Sequence, residues 1–138
     1  MGRLVRFSVS IDERLIEGFD ALWRKRRYEN RSEAIRDAIR QQLVAQEWAD
    51  DEQVAGVITL LYDHHRPGLA DMITDLQHHS LSYVIATTHI HLDGDNCLEL
   101  IAVKGDAGGI RALADRLISL KGVKHGGLTA TSTGERIV

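Results

Sequence analysis

The first 47 residues contain a single strand pattern with no second strand to pair it, and this limits what the chain can fold into. Val5, Phe7, Val9 and Ile11 alternate with Arg6, Ser8 and Ser10, the period-two mark of a strand with one apolar and one polar face. Leu15, Phe19 and Leu22 then recur at helical spacing beside Trp23, which predicts a helix from about Asp12 to Arg27 with Asp12 and Glu13 at its positive end. Tyr28-Glu29-Asn30-Arg31-Ser32 breaks that pattern. Asn30 or Ser32 caps a second helix, Asn30 having Glu33 at capping-box spacing, and Ala34, Ile35, Ala38, Ile39 and Leu43 form its buried stripe up to about Trp48. A lone strand leaves its backbone donors and acceptors unpaired, and a segment this short needs a partner. The expected solution is a dimer whose two strands pair antiparallel. Such a ribbon presents Arg6, Ser8 and Ser10 twice about a twofold axis, and it fits the major groove of double-stranded DNA.

The net charge of −3, from 17 basic and 20 acidic side chains in 138 residues, argues by itself against a chain that coats nucleic acid. That total averages two unlike parts. Residues 1–47 balance at +2 and residues 48–138 at −5, and all seven histidines and the one cysteine lie in the second part. The seam at Trp48-Ala49-Asp50-Asp51-Glu52 has neither Pro nor Gly and reads as a helix end with a brief linker. The expected domains are therefore 1–48 and 53–138. No apolar run reaches the roughly 18 residues of a membrane span, and the N-terminal stretch lacks the apolar region of a signal peptide. One cysteine allows no internal disulfide, so a cytoplasmic chain with no membrane partner is expected.

In the second part, Val54–Tyr62 reads as a strand, Pro67–Gln77 as a helix and Leu81–His91 as a strand. A turn follows at Asp93-Gly94-Asp95-Asn96, then a strand over Cys97–Val103. Asp106 caps a helix carrying Ile110, Leu113, Leu117 and Ile118, and Gly122 ends it before a last strand near Val123–Thr131. The order β-α-β-β-α-β is the ferredoxin-like arrangement shared by ligand-binding domains of the ACT type. The expected fold class is α+β, a dimeric β-α-α segment followed by this domain. His89 and His91 lie two apart on a strand and point to one face. With Leu92 to Asn96 as the loop, His91 faces Cys97 and His89 faces Glu99 across the hairpin. Two imidazoles and a thiolate on one face make a transition-metal site, with Glu99 placed to orient a histidine ring. His78-His79 ends the preceding helix and is a candidate source of a fourth ligand from another subunit.

The strand–helix–helix VRFSVSIDERLIEGFDAL with NRSEAIRDAIR resembles a ribbon-helix-helix DNA-binding domain. Together with QHH, THIHLDGDNCLEL, KGDAGG and GVKHG, nearly the whole chain resembles the NikR nickel-responsive transcription regulators. The resemblance implies a homotetramer, a dimer of dimers, with Ni(II) at one site per subunit. It implies ligands at His89, His91 and Cys97 of one subunit and His78 of its neighbour, and base readers at Arg6, Ser8 and Ser10. It further implies a phosphate held at Arg31 and Ser32, and a weaker cation site at Glu33 and Asp37. Serine stands at ribbon positions where threonine is also common in the family, and Pro67 removes an N–H from a loop the family can use near DNA.

Mixed imidazole and thiolate ligands in a square-planar array suit Ni(II) or Cu(II), and tetrahedral sets suit Zn(II). A closed four-ligand site leaves no position for a substrate, and no nucleophile–base set or phosphate loop stands out, so an enzyme is not expected. The expected function is a nickel-responsive repressor of nickel uptake that binds a palindromic operator when Ni(II) is bound. The alternatives are a ribbon-helix-helix regulator responding to Cu, Zn or Co, or one responding to a small organic effector.

Overall fold

The computed structural model describes residues 2–138. It divides into two compact units, residues up to Arg40 and residues from Gln41 onward.

In the first unit, helix α1 (Glu13–Lys25) starts at Asp12, whose carboxylate accepts the N–H of Arg14 at 2.9 Å. It stops at Arg26, followed by Arg27 in the left-handed region at φ 63°. Helix α2 (Arg31–Ala49) is capped by Asn30, whose side-chain oxygen accepts the N–H of Glu33 at 2.9 Å. The two helices are tied by Asp20. Its carboxylate accepts from Trp23 Nε1 at 2.7 Å and from both Nε and Nη2 of Arg31 at 2.9 and 2.6 Å. Those bonds hold the Asp20 carboxyl down at about 2.

Residues 2–12 form neither helix nor strand, and among the described residues no strand pairs with them. Phe7 and Val9 are therefore 71% and 65% exposed.

The second unit begins inside α2. Trp48 is buried in its core, with Val44 packed against that core. The Trp48 indole donates to the carbonyl of Thr131 at 2.8 Å, and Arg111 caps the Trp48 carbonyl at 3.2 Å. The remaining elements are β1 (Gln53–Asp63), α3 (Leu69–His78), β2 (Val84–His91), β3 (Asn96–Asp106), α4 (Ala107–Ile118) and β4 (Val123–Thr131). The sheet order is β2-β3-β1-β4, with every neighbouring pair antiparallel. This is the ferredoxin-like order read from the sequence. Helix α3 starts two residues after Pro67, because Gly68 turns the chain at φ 78°. Strand β2 starts at Val84, because Ser80–Tyr83 is a turn in which the Tyr83 N–H bonds the Ser80 carbonyl at 2.9 Å.

The alternation along β1 buries Val54, Ile58, Leu60 and Tyr62, and along β3 it buries Cys97, Ile101 and Val103. They pack in one core with Leu69 and Ile73 of α3 and with Ile110, Leu113 and Leu117 of α4. Each fully buried Ile or Leu contributes about 1.5–3 kcal/mol relative to exposure. Asp106 ends β3 and opens α4: one oxygen accepts the Gly109 N–H at 2.8 Å and the other the Tyr83 hydroxyl at 2.7 Å. The Tyr83 ring lies so close to Gly109 that an added Cβ there would come within 2.0 Å of the hydroxyl.

Candidate metal centre

The site starts from a turn. In the loop between β2 and β3, Asp93 Oδ1 accepts the N–H groups of Asp95 and Asn96 at 2.8 and 2.7 Å. These bonds, with the Asn96 side chain, hold the Asp93 carboxyl down at about 2 and keep it an acceptor. The turn sets the register. His91 pairs with Cys97, His89 with Glu99 and Thr87 with Ile101. On the neighbouring strand Tyr62 pairs with Cys97 and Leu60 with Glu99, which puts Tyr62, Cys97, Glu99, His89 and His91 on one face.

Cys97 Sγ lies 3.4 Å from His91 Nδ1. The cysteine is fully buried, and burial pushes its thiol up, with the charges of Glu99, Asp63 and Asp93 acting the same way. A cation held at the sulfur reverses that balance and favours the thiolate. The His89 ring stands 4.9 Å from that of His91, centroid to centroid. Behind it the Tyr62 hydroxyl is 3.2 Å from His89 Nδ1 and donates to Glu99 Oε2 at 3.4 Å. The hydroxyl has one proton. Donating it to Glu99 makes Tyr62 the acceptor of an Nδ1–H of His89, which leaves His89 Nε2 with a free lone pair. The set thus offers soft sulfur, borderline nitrogen and an orienting carboxylate, a donor chemistry that fits nickel.

One residue joins the site that the sequence pattern did not select. His64, His91 and Cys97 each offer a donor atom, and the three atoms lie within 4.8 Å of one another. His64 follows the end of β1, and its ring is perpendicular to that of His91 at 5.3 Å. The usable signal was topological: ferredoxin-like order places β1 beside β3, which brings the Asp63-His64-His65 run to the hairpin. Asp63, His64 and His65 form a second convergent group.

Of the four ligands expected from the sequence, His91 and Cys97 converge, whereas His89 on β2 and His78, exposed at the end of α3, lie outside both groups. The residue before His78 is anchored, because Gln77 accepts a hydrogen bond from Thr87 Oγ1 at 2.5 Å, which ties the end of α3 to β2. Arg6, Ser8 and Ser10 are exposed on the segment before α1. At the start of α2 the Arg31 guanidinium is engaged by Asp20, while Ser32 is exposed. Glu33 pairs with Arg36 at 2.7 Å and Arg40 at 3.4 Å, and Asp37 accepts from the Tyr28 hydroxyl.

Residues 55–131 match the family model described as the NikR C terminal nickel binding domain, and residues 5–46 match that of the ribbon-helix-helix proteins of the copG family. The chain belongs to the NikR family. A protein of Nitratidesulfovibrio vulgaris (strain Miyazaki F) is 52% identical over 136 residues, 98% of each chain. One of Geobacter sulfurreducens is 51% identical over 138 residues, 99% of each chain. One of Pyrococcus horikoshii is 50% identical over 136 residues, 98% of this chain and 99% of its own. All three bear the name "Putative nickel-responsive regulator". The family is one of regulators rather than enzymes. A solved structure of an uncharacterized protein from Thermotoga maritima shares the fold over 57% of this chain and 98% of its own, with TM-score 0.52 and 16% identity. Among the described residues no helix is long and apolar enough to cross a membrane.

Proposed function

We propose that this NikR family member is a cytoplasmic repressor of nickel uptake that binds a palindromic operator on double-stranded DNA when Ni(II) occupies one site per subunit. The observation that carries the reading is the hairpin register, which seats Cys97 Sγ 3.4 Å from His91 Nδ1 with His89 on the same face. Residues 53–138 are the sensor. Within it His89, His91 and Cys97 hold the ion, and His78, exposed at the end of α3, completes the set from a neighbouring subunit in a dimer of dimers. Residues 1–48 are the reader, with Arg6, Ser8 and Ser10 on a ribbon formed by two copies. When bound, the ion would supply a positive charge that stabilises the Cys97 thiolate. Tyr62 and Glu99 would hold the His89 ring in the tautomer that leaves Nε2 as its free donor atom. DNA binding follows nickel only through a difference in nickel affinity between the arrangements that do and do not fit both half-sites.

One titration tests this. Operator binding is measured with Ni, Cu, Zn and chelator, alongside the absorption spectrum, for the wild type and Cys97→Ala. The expected result is tight binding with Ni(II), weak binding with chelator, and loss of both the thiolate-to-nickel charge-transfer band and nickel-dependent binding in Cys97→Ala. Equal operator affinity with and without nickel would overturn the sensor reading. Nickel-dependent binding that survives in Cys97→Ala would remove Cys97 from the ligands.

A further inference from the structure

Residues 24–27 read Arg-Lys-Arg-Arg, and all four side chains are exposed. Without them residues 1–47 would balance at −2 instead of +2, so this run supplies the basic character of that part. The arginines of α2 are engaged by carboxylates: Arg31 by Asp20, Arg36 by Glu33, and Arg40 by Glu33 and Asp37. Arg24 lies over the Trp23 ring at 5.2 Å, but among the described residues no carboxylate pairs with the run. The end of a helix explains only half of it. Arg24 and Lys25, in the last turn of α1, suit the negative pole of that helix. Arg26 and Arg27 lie beyond the turn. There the Tyr28 N–H bonds the Trp23 carbonyl at 3.1 Å and the Arg27 N–H bonds the Arg24 carbonyl at 3.0 Å, the Schellman arrangement, whose left-handed position favours glycine. Here that position holds Arg27, at φ 63°. A charged side chain kept where the backbone disfavours it points to a use outside the fold. The run also lies beside α2. The charge of Arg24 acts on the Asp20 carboxyl, which bonds Arg31, and that of Arg26 acts on the Tyr28 hydroxyl, which donates to Asp37.

We propose that Arg24–Arg27 binds the sugar-phosphate backbone of double-stranded DNA, outside the ribbon face and irrespective of base sequence or nickel. Consecutive unpaired cations match a repeating anion, and guanidinium groups fork onto phosphate oxygens. Such contacts position a protein on the duplex without reading bases. Each phosphate neutralised releases condensed counterions, so the association weakens steeply with salt. The inference rests on the reading of residues 1–48 as the DNA reader and adds a nickel-independent contact to it. The run brings the protein onto DNA, and the metal decides where it stops.

The test is fluorescence anisotropy of the full chain on a labelled duplex of random sequence, over a series of salt concentrations, with chelator and with one equivalent of Ni(II). The expected result is weak, saturable binding by the wild type under both conditions, with a log–log salt slope that shrinks by about 0.9 for each phosphate contact removed. Arg26→Gln combined with Arg27→Gly removes four cations per ribbon dimer, so the slope should shrink by about 3.6, and Arg26→Gln alone should shrink it by about 1.8. Lys104→Gln combined with Arg116→Gln lowers the charge equally on exposed positions of the second unit and should leave the slope unchanged. An unchanged slope in the Arg26 and Arg27 variants, or an equal change in the Lys104 and Arg116 control, overturns the proposal. The operator titration described above separates this inference from the reading it rests on. Nickel-dependent operator binding with an unchanged salt slope removes this surface alone, whereas failure to bind either duplex under any condition removes the DNA reader as well.

Discussion

Tyr62→Phe separates the orienting role of the Tyr62 hydroxyl from its bulk. The ring is 1% exposed, so the substitution keeps the packing and removes one oxygen. Two bonds go with it, to His89 Nδ1 at 3.2 Å and to Glu99 Oε2 at 3.4 Å. Both are long for their type, which places the loss at the low end of the range for a deleted buried bond. Glu99 is 7% exposed and would be left with one acceptor fewer satisfied, so a net cost of about 1 kcal/mol is expected in the metal-free protein. For a domain of this size that is a fall of about 4–8 °C in Tm by differential scanning calorimetry. The effect on the metal is larger. Freed from Tyr62, the His89 ring can rotate and take the other tautomer, which puts a proton on the nitrogen proposed to bind the ion. Loss of such an orienting partner costs about 10–100-fold in metal affinity. A competitive titration of Ni(II) against a chromophoric chelator reads this directly. An unchanged Tm together with a nickel affinity within twofold of wild type would refute the relay from His89 through Tyr62 to Glu99.

Arg27→Gly should stabilise the N-terminal unit by about 0.5–1 kcal/mol in urea unfolding, because Arg27 sits at φ 63° after α1, where glycine has no Cβ penalty. The Asp20 carboxyl, held at about 2 against an ordinary 3.8, stabilises this unit fully above pH 4 and loses that contribution as pH falls toward 2. Asp20→Asn should therefore flatten the decline in urea midpoint over that window. Gly109→Ala should lower the Tm of the second unit and break the Tyr83–Asp106 bond, since a new Cβ would fall 2.0 Å from the Tyr83 hydroxyl. A shifted tyrosine absorption on heating would register the broken bond.

Much of the hairpin was legible because its information is local. The Asp93–Asn96 turn and the two-residue spacing of His89 and His91 determine the register once the loop length is known, and Cys97 and Glu99 fall opposite them. The order of elements was legible from periodicity and caps, with Asp12, Asn30 and Asp106 each taking a backbone N–H as their types suggest. His64 was harder to see, because its nearness to Cys97 depends on β1 lying next to β3, a contact between residues 33 apart in sequence. The last turns of α2 were also obscure. Apolar periodicity continues smoothly through Val44 and Trp48 and does not say which core receives them, and both pack in the core of the second unit. The N-terminal segment is the opposite case: its alternation is plain, yet residues 2–12 form no strand, and among the described residues none pairs with them.

The three proposed donors of the hairpin rest on two very different supports. His89 and His91 stand exposed on β2, the edge strand, whereas Cys97 is fully buried on β3 among Tyr62, Ile101 and the helices above them. Natural drift and laboratory redesign therefore meet the site unevenly. An imidazole on the edge strand can be exchanged for another donor without disturbing a packed interior, and metal preference can be retuned there in small steps. The sulfur position has no such latitude, because any larger replacement must displace core side chains and any smaller one leaves a void. A lineage or an engineer seeking a sensor for a different ion would find its permissive positions on β2, with the thiol as the inherited constant around which the rest is changed.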